Sequence, residues 1–530
     1  MLHSLRTSLT WLHTWSGLLL GSILFAVFWM GTLSVFDREI DRWMMPETRH
    51  VLPSHDISMD AISESVAAIV PVETSRWQFT MPSAREPIVR VYYQDEEEFH
   101  RIHLDPDTLK VVEGRDTLGA TGFIFPFHYS LMLRWNMLGY WIVGLAAMAM
   151  LVLLVSGVII HKKIFLDFFT FRSRNKLSRS SLDLHNLTGV LGLPFHFLIT
   201  LSGLIIFISI YLPGVMDRTY RGDATEFSSE AFGNYIQVPA GEAGGELVSL
   251  DSLRQRAEAK WGGSKVYFTR IWNPNDANAT VEMRRNREDA VPLNLDLIAF
   301  DGDSGNIYSI HKSGPVMTAQ RWIAGFHFIQ FDHWTLRWIY FVLGLFGCIL
   351  IGSGFVIWIE TRRKQHELEG KISSRIVEGL AVASITGVII ATLAFFVANR
   401  LLPAGAGLMH IGRAELEVWI FFIVWAGTAI HAGLRNKTNL LAWIEQCRGI
   451  VCLSLLAVIL NWLTTGDHLL TSLSQGFWAI VGMDIMLLLG AMTSLFVTHK
   501  LSQGMTNRAS AQVKTDITPT PGSLGTEARA

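Results

Sequence analysis

Apolar residues along this chain gather in eight long runs, roughly 10–36, 137–161, 187–212, 335–360, 377–400, 416–434, 449–466 and 477–498. A helix that crosses a bilayer needs about 20 mostly apolar residues, so each run predicts a membrane span. The first run is too long for a signal peptide, and no small-residue cleavage site follows Phe36, so it reads as an uncleaved anchor. Two polar stretches, 37–127 and 213–326, are long enough to fold. In each, a helical pattern opens on a capping triplet, Ser58-Met59-Asp60 and Ser249-Leu250-Asp251. Each later has a strand running into a turn, at Arg101–Thr108 and Leu297–Ser304. The expected fold is a polytopic α-helical membrane protein of about eight spans carrying two small α+β domains.

Charge orients this arrangement. The segments 162–186 and 361–376 are basic, with Lys162, Lys163, Arg172, Arg174, Lys176 and Arg179 in or beside the first, and Arg362, Arg363, Lys364, Lys371 and Arg375 in the second. Basic short loops stay on the cytoplasmic side. Both termini then lie inside, and 37–127 and 213–326 lie outside. Divided in this way, the chain has a first span in 1–36, a domain in 37–127 and a second span with its lead-in in 128–161. After the loop 162–186 come a third span in 187–212, a second domain in 213–326 and a fourth span in 327–360. The loop 361–376, four further spans in 377–498 and a polar tail in 499–530, expected to be disordered, complete it.

Composition supports a membrane protein and excludes other classes. Half the residues are hydrophobic and only 17% are charged, against about 25% in soluble domains. A net charge of −2 gives no support to a nucleic-acid partner. Cys348, Cys447 and Cys452 have no close-pair spacing, which argues against a zinc site, a disulfide framework or an iron–sulfur cluster. No Gly-x-Gly-x-x-Gly or phosphate-binding loop is present, and no cytoplasmic segment is large enough for a flavin or nicotinamide domain.

The chain repeats. Leu12-His13-Thr14-Trp15-Ser16-Gly17 and Leu184-His185-Asn186-Leu187-Thr188-Gly189 open the first and third spans, and Gly31 and Gly203 follow each histidine by 18 residues, five helical turns. Phe127-His128 and Phe326-His327 precede the second and fourth spans, whose far ends carry Ser156-Gly157 and Ser353-Gly354. The repeat therefore sets His13 and His185 at one depth, and His128 and His327 at another. A lone interfacial histidine needs no function, but a histidine inside a membrane is a functional candidate, and two imidazoles at equal depth are what bis-histidine haem ligation requires. Gly17 and Gly189 offer side-chain-free surface to a flat macrocycle. His196, three turns beyond His185, and His161, at the end of the second span, are further candidates outside the symmetry. His333, His410, His431 and His499 read as interfacial, and the run Asp95–Glu98 as a solvated face.

These motifs, together with Pro194-Phe195-His196, Gly157–His161 and the two Asp-x-Asp-(Ser/Thr) turns, resemble the PepSY-associated transmembrane family over about 1–365. Members are bacterial inner-membrane proteins, and some resemble di-haem ferric-siderophore reductases. The resemblance implies PepSY-like periplasmic domains, two haem b groups, and iron ligands among His13, His128, His161, His185, His196 and His327. It also implies an unknown cytoplasmic or quinol electron donor and, as acceptor, a periplasmic ferric siderophore or ferric chelate. Two other readings compete. A PepSY-domain anchor or regulator of secreted peptidases would need only one span and no paired histidines. A transporter would place its site in broken helices at the midplane, and here only Pro194 interrupts a span. The four appended spans carry no signature of their own.

Overall fold

The computed structural model describes residues 2–72, 74–95, 98–161, 177–233, 237–369, 372–435 and 440–517. Among these, eight helices are long and apolar enough to cross a membrane: Ser4–Ser34, Trp135–Ile160, Ser178–Ile206, Trp334–Arg362, Ile376–Leu401, Arg413–Arg435, Leu441–Thr465 and Trp478–Thr506. All eight expected spans are present, with shifted ends. The third starts nine residues earlier than its apolar run, because Arg179 pairs with Asp183 one turn on and carries the helix through a polar stretch. His185 thus lies two turns inside its helix. The last helix continues to Ile517 rather than stopping at 498, since no proline intervenes before Pro519; residues 518–530, and Lys162–Lys176 of the first basic loop, lie outside the described residues.

The chain forms two units, the first made of Met1–Arg362, Ala404–Glu415 and Leu469–Met483, the second of Arg363–Pro403, Leu416–His468 and Asp484–Ala530. The first unit holds α1 (Leu2–Ser34), α2 (Asp37–Met44), α3 (Met59–Ala67), α4 (Phe125–Ser130), α5 (Leu138–Ile160), α6 (Leu177–Ile206), α7 (Leu250–Lys260), α8 (Pro315–Phe328) and the spanning part of α9 (Trp334–Glu369).

The polar stretches do not fold as two separate α+β units. Their strands β1 (Arg76–Thr80), β2 (Val89–Asp95), β3 (Glu98–Leu104), β4 (Val266–Trp272), β5 (Thr280–Arg285), β6 (Leu297–Asp301) and β7 (Ile307–His311) form one antiparallel sheet in the order β3-β2-β1-β4-β5-β6-β7. The join is β1 with β4, Gln78 opposite Arg270. Alternation along the strands sends Trp77, Phe79, Val91, Ile271, Val281, Met283 and Phe300 to one face, where Met59, Ile62 and Val66 of α3 and Leu250, Leu253 and Ala257 of α7 cover them. The other face is polar, with Arg270 donating to Gln78 and Glu282, and Arg284 to Glu282.

The two capping triplets work across the join. Ser58 and Ser249 each cap their own helix by accepting from Ala61 and Ser252 N–H. Each hydroxyl also donates to the aspartate of the other helix, Ser58 to Asp251 at 2.5 Å and Ser249 to Asp60 at 2.6 Å. Met59 and Leu250 N–H complete the exchange by donating to the same two carboxylates. The expected turns are present as well, with Asp105 accepting from Thr108 and Asp301 from Ser304.

A tight turn between α4 and α5 sets the position of His128. Leu131, Met132, Asn136 and Met137 all have positive φ there, and a Cβ on Gly139 would stand 1.6 Å from the carbonyl oxygen of Ser130. Gly139→Ala is therefore expected to push α4 off α5 and to destabilise the protein by about 1–3 kcal/mol, the usual cost of overpacking. A melting temperature unchanged from wild type would show that this contact can relax.

Candidate cofactor sites

The four repeat-related histidines fall into two pairs, each pair lining one cavity, and a common device holds each ring. His128 Nδ1 lies 2.8 Å from the carbonyl of Val27, and His185 Nδ1 lies 2.9 Å from that of Leu350. A carbonyl only accepts, so both imidazoles carry their proton on Nδ1. His13 Nδ1 meets Ser156 Oγ at 3.0 Å, and His327 Nδ1 meets Ser202 Oγ at 3.0 Å. Each of these hydroxyls gives its own proton to the carbonyl three residues back, Leu153 and Ile199, so its oxygen is left to accept from the ring. Ser353 does the same for His185. In all four rings Nε2 keeps the lone pair. Metal-binding histidines are commonly oriented in this way, through a bond from the far nitrogen.

Glycine admits each ring. A Cβ would stand 2.6 Å from His128 at Gly31, 2.9 Å from His327 at Gly203, 3.3 Å from His13 at Gly157 and 3.6 Å from His185 at Gly354. Each ring therefore rests on the neighbouring span: α1 and α6 receive the rings carried by α4 and α8, and α5 and α9 receive those carried by α1 and α6. The Ser-Gly dipeptides at 156–157, 202–203 and 353–354 unite both functions, oxygen acceptor and side-chain-free surface. Met30-Gly31 departs from this pattern, and the Val27 carbonyl takes the place of the hydroxyl.

The pairs line separate cavities. His128 and His327 face one on the sheet side, about 120 Å³, with Phe28, Gly31 and Gly203 in its wall. Their ring centres are 6.0 Å apart and their planes inclined by 30°. His13 and His185 line a sheet-distal cavity of about 420 Å³, together with Gly17, Gly157, Gly189 and Gly354, within the range of small-molecule sites. Leu24 and Met150 line both cavities and so form the wall they share.

His161 also lines the distal cavity, where Asn186 Nδ2 donates to its Nε2 at 3.2 Å; nothing in the sequence singles out Asn186. His196 lines neither cavity. It is fully buried, its Nε2 donates to the carbonyl of Leu343 at 3.0 Å, and its ring meets Phe28 edge-on. Its tautomer is thus the reverse of that of the four paired rings, and its Nδ1 makes no hydrogen bond among the described residues.

The second unit holds a polar network that no sequence motif announces. A π-helical turn, Ala383–Gly387, releases the Ala383 carbonyl to the indole N–H of Trp425. Thr386 donates to Gln446 at 2.6 Å, Gln446 to the Thr428 carbonyl at 2.9 Å, and His431 pairs with Glu445 at 2.8 Å. His431, expected to be interfacial, is tied to a carboxylate that Arg435 also contacts.

A family model described as the PepSY-associated TM region matches residues 10–361, the stretch on which the sequence motifs lie. An uncharacterised protein of Pseudomonas aeruginosa is 24% identical over 367 residues, which cover 66% of this chain and 89% of that protein.

Proposed function

The chain belongs to the PepSY-associated TM family, and we propose that it is a b-type haem protein of a bacterial inner membrane that delivers electrons to a ferric siderophore or ferric chelate outside. The observation that carries this reading is the His128–His327 pair, with ring centres 6.0 Å apart and both Nδ1 atoms tied to protein oxygens. An imidazole nitrogen binds a transition metal at roughly 2 Å and sits roughly 1 Å from its ring centre, so two rings on one ion are centred about 6 Å apart. Among the described residues no three His, Cys, Asp or Glu side chains converge; an ion held by such a pair would complete its coordination from a macrocycle.

His128 and His327 would hold one haem, and His13 and His185 a second, with His161 beside the latter. Haem with two imidazole ligands supplies reversible one-electron chemistry. The protein's own part is positional. Carbonyls and serine hydroxyls fix the tautomer and direction of each imidazole, glycines let the rings lie close against the spans, and apolar side chains such as Leu24, Phe28 and Met150 keep water away. No Cys-x-x-Cys-His is present, so attachment would be non-covalent.

In this reading the seven-stranded sheet is two PepSY-like periplasmic domains fused by an internal duplication, and the basic loops hold both termini in the cytoplasm. Electrons enter at the sheet-distal pair from a cytoplasmic or quinol donor and leave at the sheet-side pair. Iron(III) is bound by the hard oxygen ligands of a siderophore, and reduction to the softer iron(II) weakens that grip. The purified protein from haem-replete cells is expected to show a Soret band that sharpens with dithionite, and two haem b per chain by pyridine haemochrome. A colourless preparation would end this reading.

A further inference from the structure

Where α2 meets the polar edge of the sheet, a cleft is lined by Arg38, Arg42, Arg90, Arg101, His103 and Thr121. Its cations outnumber their partners. Arg38 is paired with Glu288 and Arg90 with Glu86. Among the described residues, Arg42 and Arg101 donate only to backbone carbonyls, those of His50 and Thr117, each at 2.9 Å. Two further donors, the Nε atoms of Arg42 and Arg90, are buried with no hydrogen-bond partner among the described residues, an arrangement that native proteins seldom leave unexplained.

The other acid in the cleft, Asp41, is largely ionised at neutral pH and offsets one of these charges, leaving the second uncompensated. Asp41 accepts from Ala120 and Thr121 N–H and from the Thr121 hydroxyl, and burial pushes its carboxyl up to about 6. His103 is held near 3 by burial and by Arg101 and Arg90, so it is a neutral imidazole at physiological pH. The enclosed part of the cleft is about 10 Å³, room for roughly one oxygen atom, and Arg101 at its rim is exposed. Thr121 lies seven residues before His128 on a continuous helical stretch, Ala120–Ser130, about 10 Å along its axis.

We propose that this cleft recognises a carboxylate of an anionic metal chelate, with Arg42 and Arg101 as its principal donors, and seats that chelate above the sheet-side histidine pair. A guanidinium presents a donor fork matched to a carboxylate. A small pocket with an open, cationic rim suits a chelate that inserts one carboxylate oxygen and leaves its body outside. The inference rests on the assignment of the sheet side as the electron exit, but its test does not need electron transfer.

The probe is gallium(III) citrate, which carries the carboxylates and cannot be reduced under these conditions, titrated into the detergent-solubilised full-length protein by calorimetry. A cationic gallium trihydroxamate serves as the comparison. Saturable binding of the citrate complex is expected, with affinity falling at least tenfold in Arg42→Gln/Arg101→Gln, less in the double Lys variant, and not at all in Lys260→Gln, a surface charge elsewhere on the sheet unit. Haem content and melting temperature identify a variant that fails to fold, in which case the Lys pair carries the comparison. Absence of citrate binding, equal affinity in the Gln pair, or stronger binding of the cationic complex would overturn the proposal. Reoxidation of dithionite-reduced protein by ferric citrate is then read separately. If gallium citrate binds and ferric citrate leaves the haem reduced, the reductase reading fails and the anion site stands.

Discussion

His128→Ala and His327→Ala are each expected to lower the haem content from two to one per chain and to leave the sheet-distal haem with an unchanged spectrum; His13→Ala and His185→Ala should do the reverse. The effect should be large because, in the proposed assignment, each pair would be the whole protein contribution to its iron, and Leu24 and Met150 stand in the wall between the two cavities. Redox titration separates the outcomes, since each variant should show a single midpoint where wild type shows two. Smaller changes follow from the groups that hold the rings. Ser202→Ala removes the acceptor of the His327 Nδ1 proton and should weaken the sheet-side haem by roughly 10–100-fold, the usual cost of losing a ligand's outer hydrogen bond. His128 is held by a backbone carbonyl instead, so no side-chain substitution reproduces that loss. Retention of two haems by all four alanine variants would place the ligands elsewhere. His196 would then be tested first, although its donated Nε2 bond to Leu343 means that it could bind only through Nδ1 or after rearrangement.

How much of this could be read in the sequence follows the range of the forces involved. Eight apolar runs were legible because a bilayer imposes a length that few other structures need. The starts of α3 and α7 were legible because Ser58 and Ser249 cap locally. That Asp60 and Asp251 would exchange bonds across two segments 190 residues apart was not, and neither was the pairing of β1 with β4, because no local pattern encodes which strand edges meet. The histidine pairs were legible through repetition. Gly31 and Gly203 stood out by their fixed distance from His13 and His185, but the groups they make room for, His128 and His327, come from other elements. The Arg42 and Arg101 cleft has no motif at all; it exists only because α2 lies under the sheet edge. The four appended spans remained silent because their polar residues, Thr386, Gln446 and Glu445, are scattered singly through apolar helices and meet only in the folded unit.

The joint between the sheet and the spans should be the most sensitive point for stability, and Arg85→Ala is expected to cost about 3–5 kcal/mol, the range for breaking a buried ion pair by removing one partner. Arg85 is 3% exposed. Its Nε and Nη2 grip the two oxygens of Glu39 at 3.1 and 3.0 Å, and Nη2 also reaches Asp37 at 3.2 Å. Arg337, fully buried at the head of α9, donates to the same Glu39 at 2.7 Å and to the Val35 carbonyl at 2.8 Å. Its guanidinium lies over the rings of Phe36 and Trp334. One carboxylate thus ties the end of α1, the start of α2, the approach to β2 and the start of α9. Burial by itself would raise the Glu39 carboxyl, but Arg85 and then Arg337 outweigh it and hold it at about 2, from an ordinary 4.5. A carboxyl depressed on folding stabilises the folded state above its unfolded value and loses that contribution as pH falls towards the folded one. The contribution is about 3 kcal/mol at neutral pH, because each tenfold change in proton affinity is worth roughly 1.4 kcal/mol. Wild type should therefore lose melting temperature between pH 5 and pH 3. In Arg85→Ala the starting stability should be lower and the acid-dependent loss over that window smaller, because Glu39 keeps only Arg337. Arg85→Lys keeps the charge but not the fork and should fall between the two. Parallel melting curves for wild type and Arg85→Ala across this pH range, offset by less than about 1 kcal/mol, would show that Glu39 does not hold the joint.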